Sequence, residues 1–254
     1  MTKLSNEVWS SYLSSFHRMH PGITEDVLLA SRSRQGLTPY AWITAPIPLG
    51  ARVLDVACGS GPSLRLRPGE PWIGLDRSTS ELTRARRSGT VNVLEGDATA
   101  LPFEDGSFDG VICSMALMLI QPLERALAEA RRVLTRDGLF VVTMPGRRPL
   151  RVRDVARYSH LVSRLGRCRL SYPNMKTLSH TPALFAEHGF ELIEDVRTRF
   201  DFLVSSPEAA ATFVRSLYLP GVTEATLVQG EHLATRWIGT SIGIPLRRLI
   251  LVRE

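Results

Sequence analysis

The sequence predicts an α/β fold, doubly wound about a mostly parallel seven-stranded sheet, and three observations predict it. Short runs rich in Val, Leu and Ile alternate with longer amphipathic stretches over residues 52–144. The first run, Val53-Leu54-Asp55-Val56, ends in a small-residue loop, Ala57-Cys58-Gly59-Ser60-Gly61. The acidic residues Asp76 and Asp97 then fall at the ends of the next two runs. Strands that alternate with helices pair in parallel through right-handed crossovers, and ligands bind at the carboxyl edge of such a sheet. A chain of 254 residues suits one Rossmann-like domain carrying helical cap insertions. Residues 1–50 read as an amino-terminal helical lid, 51–145 as a cofactor-binding core, and 146–254 as cap insertions with the last strands.

Residues 6–17 have helical spacing, with Val8, Tyr12 and Phe16 on one side and Trp9 beside them, and Pro21-Gly22 breaks the pattern. A second helix is expected from about Thr24 to Arg32, with Thr24 as N-cap and Glu25-Asp26 in the positive first turn. Pro39 and Pro46-Ile47-Pro48 mark loops before the first strand. Strands are expected at 52–57, 72–76, 91–95, 108–113 and 139–144, with helices near 61–67, 78–88 and 122–134 between them. In the last of these, Leu123, Ala126, Leu127, Ala130 and Val133 form the stripe to be buried, and Asp137-Gly138 turns the chain into the next strand.

After Pro145 the rhythm changes. Residues 150–166 read as a basic amphipathic helix with Val155, Tyr158, Leu161, Val162 and Leu165 on its apolar face. Ser171-Tyr172-Pro173-Asn174 is a loop, and a helix near 181–188, capped by His180, ends at Gly189. A strand around 191–203, helices at 206–217 and about 222–238, and a final strand from Pro245 to Arg253 complete the chain. Segments 147–178 and 204–240 are therefore insertions around the carboxyl end of the sheet.

The glycine loop alone is a weak signal; the residues downstream of it give it meaning. Asp76 lies 21 residues after Asp55, where a carboxylate accepts hydrogen bonds from ribose hydroxyls. A dinucleotide fingerprint needs a third glycine, and Leu64 stands at that place. Next come Gly96-Asp97-Ala98-Thr99-Ala100-Leu101-Pro102-Phe103 and Phe108-Asp109-Gly110-Val111-Ile112. With these, the chain resembles the class I S-adenosylmethionine-dependent methyltransferases, nearest to the UbiE-like set that modifies small molecules. Five segments carry the resemblance in order: VLDVACGSG, IGLDRS, EGDATALPFEDGSFDGVIC, LAEARRVLTRDG and LFVVTMP. They cover residues 50–145, a little over a third of the chain.

The resemblance implies S-adenosyl-L-methionine as cofactor and assigns roles. Asp55 and the backbone of Ala57, Gly59 and Gly61 would hold the methionine part, with Asp76 gripping the ribose beside Arg77. Asp97 and the Ala98 N–H would meet the adenine, and Ser114 and Met115 would lie under the methionine arm. Two departures stand out: Ala57 replaces a first glycine, and the helix after the loop is short, bounded by Pro62 and Pro68-Gly69. Plainer alternatives stay open: Asp55 as a loop cap, Asp76 as a solvated turn residue, and Asp97-Ala98 as an Asx turn.

Transfer of a sulfonium methyl asks the protein for alignment and exclusion of water, and an oxygen acceptor also asks for a general base. His17 and His20, in the segment expected to fold over the cofactor, are the base candidates; His160 and Tyr158 on the basic helix are weaker ones. Trp9, Tyr12, Phe16, Tyr40 and Trp42 form an aromatic group that either packs the lid or covers a flat substrate.

The expected acceptor is a small, hydrophobic or aromatic metabolite of a biosynthetic pathway. Residues 146–170 hold eight arginines against Asp154 alone, a local charge of +7 within a chain of net charge +6. That segment reads as a solvated lid face, a patch for an acidic substrate, or a nucleic-acid contact. An RNA methyltransferase, disfavoured because no recognition module accompanies the arginines, and a fold member that binds the cofactor without transferring methyl are the alternatives. No metal site, membrane span or signal peptide is expected, and Cys58, Cys113 and Cys168 are too scattered for a disulfide framework, so a cytoplasmic setting is expected. Nothing in the pattern sets the oligomeric state.

Overall fold

The centre of the molecule is β1 (Val53–Val56), four residues all buried, flanked by β2 (Trp72–Asp76) and β4 (Phe108–Ser114). A strand covered on both faces tolerates a continuous apolar run, which is how these segments read. In the computed structural model, which describes residues 5–167 and 170–254, the sheet has seven strands in the order β3-β2-β1-β4-β5-β7-β6. Residues 1–4 of the expected lid, Cys168 and Arg169, one of the eight arginines, lie outside the described residues. The strands β3 (Val93–Glu95) and β5 (Leu134–Pro145) continue the parallel part. The long β7 (Thr240–Arg253) runs antiparallel to both β5 and β6 (Phe190–Val204). Chain order reverses between β1 and β4, so the crevice at the carboxyl ends of β1, β2 and β4 is the switch point of the sheet.

The helices that cover the sheet keep closely to their patterns. The stripe expected on α6 (Leu123–Val133) is the buried one, Leu123, Ala126, Leu127, Ala130 and Val133. Pro62 opens the short α4 (Pro62–Arg65), and Ser78 caps α5 (Thr79–Arg87) by accepting from the Glu81 N–H. Above the carboxyl edge lie α1 (Asn6–Met19) and α2 (Ile23–Ala30), whereas α3 (Pro39–Thr44) packs on the sheet, its Ile43 joining Val53, Ile112 and Val141. A second apolar core, separate from that of the sheet, joins α7 (Val152–Arg164), α9 (Pro207–Arg215) and α10 (Glu224–Thr235) through Leu161, Phe213, Leu233 and Trp237 to Phe202 and Val204 of β6. Between α7 and β6 stands α8 (Thr181–Glu187).

Several expectations are corrected. Residues 39–44 are helical: Thr38 caps α3, its hydroxyl accepting from the Ala41 N–H at 3.0 Å, and Pro39 occupies the first turn, where its missing N–H costs nothing. The second helix starts at Ile23 after a left-handed Gly22, so Thr24 is inside it and its hydroxyl donates to the Ser216 carbonyl at 3.3 Å. On α1 it is Trp9, not Val8, that joins Phe16 in the core, and Val8 stays 46% exposed. On α7 the buried positions are Asp154, Leu161 and Val162, with Leu165 next, while Val155 is 50% exposed. Asp154 turns inward to take Arg199 Nε at 3.0 Å, the Gly243 N–H at 3.2 Å and the Arg151 N–H at 3.0 Å, which rotates its neighbour Val155 outward. His180 stands at the start of α8, but its ring faces the Lys176 carbonyl and does not cap the helix. The expected aromatic group divides. Trp9, Tyr12 and Phe16 pack with Tyr172 and Tyr218, whereas Trp42 meets Phe200 at 5.5 Å in a different cluster.

Candidate active site

The glycine loop is shaped by Asp76. One carboxylate oxygen accepts the Gly59 N–H at 2.8 Å and the other the Ser78 N–H at 2.8 Å, so the ends of β1 and β2 are tied to one buried side chain. Burial raises its pKa, and the two backbone donors offset only part of that rise. The loop needs left-handed backbone at Ala57 (φ 56°), Gly59 (φ 55°) and Gly61 (φ 73°). A Cβ on Gly59 would collide with a Glu25 carboxylate oxygen, and one on Gly61 would come within 2.8 Å of the Thr90 methyl, so glycine is required by crowding as well as by φ. Beyond β4, Met115 is also left-handed (φ 56°), and the Ser114 hydroxyl pairs with that of Thr143 at 3.1 Å.

These ends surround a cavity of about 310 Å³, within the range of small-molecule sites. Of the candidate site residues and aromatics the sequence singled out, His17, Tyr40, Ala57, Gly59, Asp76, Arg77, Ser114 and Met115 line it. Asp55 lies beneath the loop, 1% exposed, with no hydrogen-bond partner for either oxygen. Burial pushes its pKa up to about 8; the Ser63 hydroxyl lowers it in part but falls short of hydrogen-bond geometry. Gly61 and His20 are not among the lining residues. Asp97 is exposed and accepts the Thr99 N–H and hydroxyl at 2.8 Å each, an Asx turn that leaves it, with Ala98, off the cavity wall.

Sequence reasoning missed what the lid contributes. Glu25, read as a first-turn helix charge, is 9% exposed, lines the cavity and accepts the Ser60 N–H at 3.3 Å. Burial, then the neighbouring Glu81 carboxylate, push its pKa up to about 7. Glu81, in the first turn of α5, takes His17 Nδ1 at 2.8 Å and the Gly22 N–H at 3.0 Å. Burial disfavours the charged His17 ring, but Glu81 outweighs it and the net pKa is raised. No spacing in the sequence announces these pairs, since Glu25 and Glu81 stand 56 positions apart. Tyr40 and Tyr218, Leu119 and Ile120 add apolar lining to the cavity.

The basic segment lies elsewhere. Arg157 is tied to the Ser241 carbonyl and the Thr240 hydroxyl, and Arg167 to the Pro220 carbonyl. Arg147, Arg148, Arg151, Arg153 and Arg164 are exposed, and none of them lines the cavity. Among the described residues, no helix is long and apolar enough to cross a membrane.

A doubly wound sheet with a glycine loop, a carboxylate at the end of the second strand and a capped crevice defines a protein that binds a nucleoside cofactor at its switch point. Residues 54–142 match the family model of a methyltransferase domain. A malonyl-[acyl-carrier protein] O-methyltransferase of Geobacter sulfurreducens is 32% identical over 196 residues, 73% of this chain and 72% of that protein. A demethylmenaquinone methyltransferase of Renibacterium salmoninarum is 38% identical over 128 residues, 47% of this chain and 52% of that relative, so the match spans about half of its length. The YcgJ protein of Bacillus subtilis shares the fold, with a TM-score of 0.54 at 21% identity over 84% of this chain and 96% of that one. The chain belongs to the class I S-adenosylmethionine-dependent methyltransferases, and S-adenosylmethionine is the cofactor this implies. The residues present fit that group: Glu25, Gly59 and Asp76 line one cavity, where a nucleoside carrying a zwitterionic amino-acid arm would find carboxylates and a left-handed glycine loop.

Proposed function

We propose that this protein transfers a methyl group from S-adenosylmethionine to a small, hydrophobic or aromatic metabolite. The observation that supports this reading is the cavity shared by the carboxyl edge of the sheet and the cap. It is lined both by polar residues (Asp76, Arg77, Ser114) and by apolar ones (Leu13, Leu119, Ile120, Tyr218). Asp76 would receive the ribose, and the Ala57 and Gly59 backbone, with Met115, the methionine arm. The bound cofactor supplies an electrophilic methyl on a sulfonium. The chain's own work is then to align the acceptor, keep water out and remove a proton where the acceptor is a hydroxyl. His17 is the base in this reading, rather than His20. Its Nδ1 is held by Glu81, which leaves the other ring nitrogen as the proton acceptor on a ring that lines the cavity. An amine or carbon acceptor would dispense with that step.

Calorimetry with S-adenosylmethionine and S-adenosylhomocysteine tests the cofactor half. Micromolar binding that weakens at least tenfold in Asp76→Ala is expected. No binding, or binding indifferent to that change, overturns it. Label transfer from methyl-tritiated cofactor onto a panel of phenols, enols and carboxylic acids, with transfer RNA as the contrasting acceptor, tests the other half. Labelling of RNA alone would replace the small-molecule reading.

A further inference from the structure

Four carboxylates converge at the loop, and three are committed or enclosed. Asp76 holds one backbone amide on each oxygen and, in the proposed reading, takes the ribose with its remaining lone pairs. Glu81 is occupied by His17 and Gly22, and Asp55 is sealed beneath the loop, off the cavity wall. Glu25 alone both lines the cavity and holds only a long 3.3 Å bond, to the Ser60 N–H. Its carboxylate stands directly over Gly59, so close that any Cβ there would collide with it. A carboxylate buried without a cation is costly, and the cost is relieved by a charged partner rather than by a neutral one.

We infer that Glu25, carried by the amino-terminal cap and not by the sheet, is the residue that reads the α-ammonium group of the cofactor's amino-acid arm above the Gly59 loop. This rests on the proposed cofactor reading and adds a specificity-determining residue to it. Two features beyond the carboxylate cluster carry it. The glycine loop leaves room for Glu25 that a side chain at position 59 would take away. Glu25, Gly59, Asp76 and Ser114 all line one cavity. Because Glu25 sits on α2, binding of the arm and seating of the cap become one event.

Three ligands separate this role from a structural one: S-adenosylhomocysteine, its deaminated analogue with the carboxylate but no amine, and 5′-methylthioadenosine, which has no amino-acid arm. A charge-assisted hydrogen bond is worth about 1.5–3 kcal/mol, roughly 10–150-fold in affinity. The unaltered protein should bind S-adenosylhomocysteine at least tenfold more tightly than the deaminated analogue. In Glu25→Gln, which keeps an acceptor for the Ser60 N–H, S-adenosylhomocysteine should weaken at least tenfold while methylthioadenosine is unchanged. Equal affinities of the unaltered protein for the first two ligands, or equal weakening of the first and third by Glu25→Gln, overturns the inference. The comparison on the unaltered protein stands even where the variant does not fold. Failure of the unaltered protein to bind any of the three would instead sink the cofactor reading beneath it.

Discussion

The carboxyl edge of the sheet and the cap above it build the same cavity by opposite means. On the sheet edge, backbone does the work: left-handed residues at 57, 59 and 61, amides aimed at Asp76, and a turn at Met115. In the cap, long side chains reach across large sequence separations. Glu25 reaches to Ser60, His17 to Glu81, and the Leu219 N–H to the Tyr12 hydroxyl at 2.8 Å. Backbone geometry demands particular residues at fixed spacing, whereas a side-chain bridge demands only that two suitable residues meet. The first therefore leaves a motif and the second does not.

The largest expected effect would break the comparison if it went the other way. Phe213→Ala empties the cap core and Phe140→Ala the sheet core, and each should cost about 3–5 kcal/mol in urea unfolding. Under conditions where both remain folded, S-adenosylhomocysteine binding should fall only modestly in Phe213→Ala and sharply in Phe140→Ala. Equal losses would mean that cap and sheet are one cooperative unit. Next in size, His17→Asn should lower kcat by about 10²–10⁴-fold for a hydroxyl acceptor and erase the acid limb of the pH–rate profile. That limb should exist because a base acts only above its own pKa, which is raised here. Glu81→Gln should reproduce part of the loss while leaving methylthioadenosine binding intact.

A smaller effect sharpens the electrostatic side. Asp55 has its folded pKa pushed up to about 8 and Glu25 to about 7, both above ordinary carboxylate values near 4. The folded state therefore holds protons that the unfolded chain has released. Stability of the cofactor-free protein is greatest below about pH 4 in this contribution and is lost as pH rises toward 8. Thermal melts between pH 5 and 8.5 should decline by several degrees for this reason, and Asp55→Asn should flatten the slope. The smallest effect concerns Ala57. Its left-handed backbone costs roughly 1 kcal/mol, which glycine removes while adding disorder to the unfolded chain. Ala57→Gly should change unfolding free energy by less than about 1 kcal/mol and leave cofactor affinity unaltered.

What the sequence discloses obeys the same division. The strands at Val53–Val56, Trp72–Asp76 and Phe108–Ser114, the buried stripe of α6 and the position of Asp76 at the end of its strand were all legible, because period and spacing are local. The helix at Pro39–Thr44 was obscured by a proline that punctuates loops as readily as it opens helices. Val155 and Val8 were assigned to buried faces by periodicity alone, and each lost its place to a neighbour with a stronger claim, Asp154 through its ion pair and Trp9 through its size. Glu25 looked like an ordinary helix-start acid and Glu81 was not singled out at all, since burial of a charge is decided by what lies across the fold.

Three arms extend from α5 and its leading turn toward the lid. Arg77 donates to the Ser10 hydroxyl at 3.1 Å, Glu81 holds His17 and Gly22, and Arg84 meets Asp26 at 2.5 Å. These three anchors issue from one short stretch, while Tyr12, Thr24 and Glu25 tie the lid elsewhere, to Leu219, Ser216 and Ser60, so it is held along its α5 side and latched beyond it like a door. Such a door sets an order of entry. Were the lid to move as one piece, the nucleoside would enter before it closes and leave after it opens. Initial-rate kinetics should show competition between S-adenosylhomocysteine and S-adenosylmethionine at every acceptor concentration, with turnover limited by the departure of the spent nucleoside.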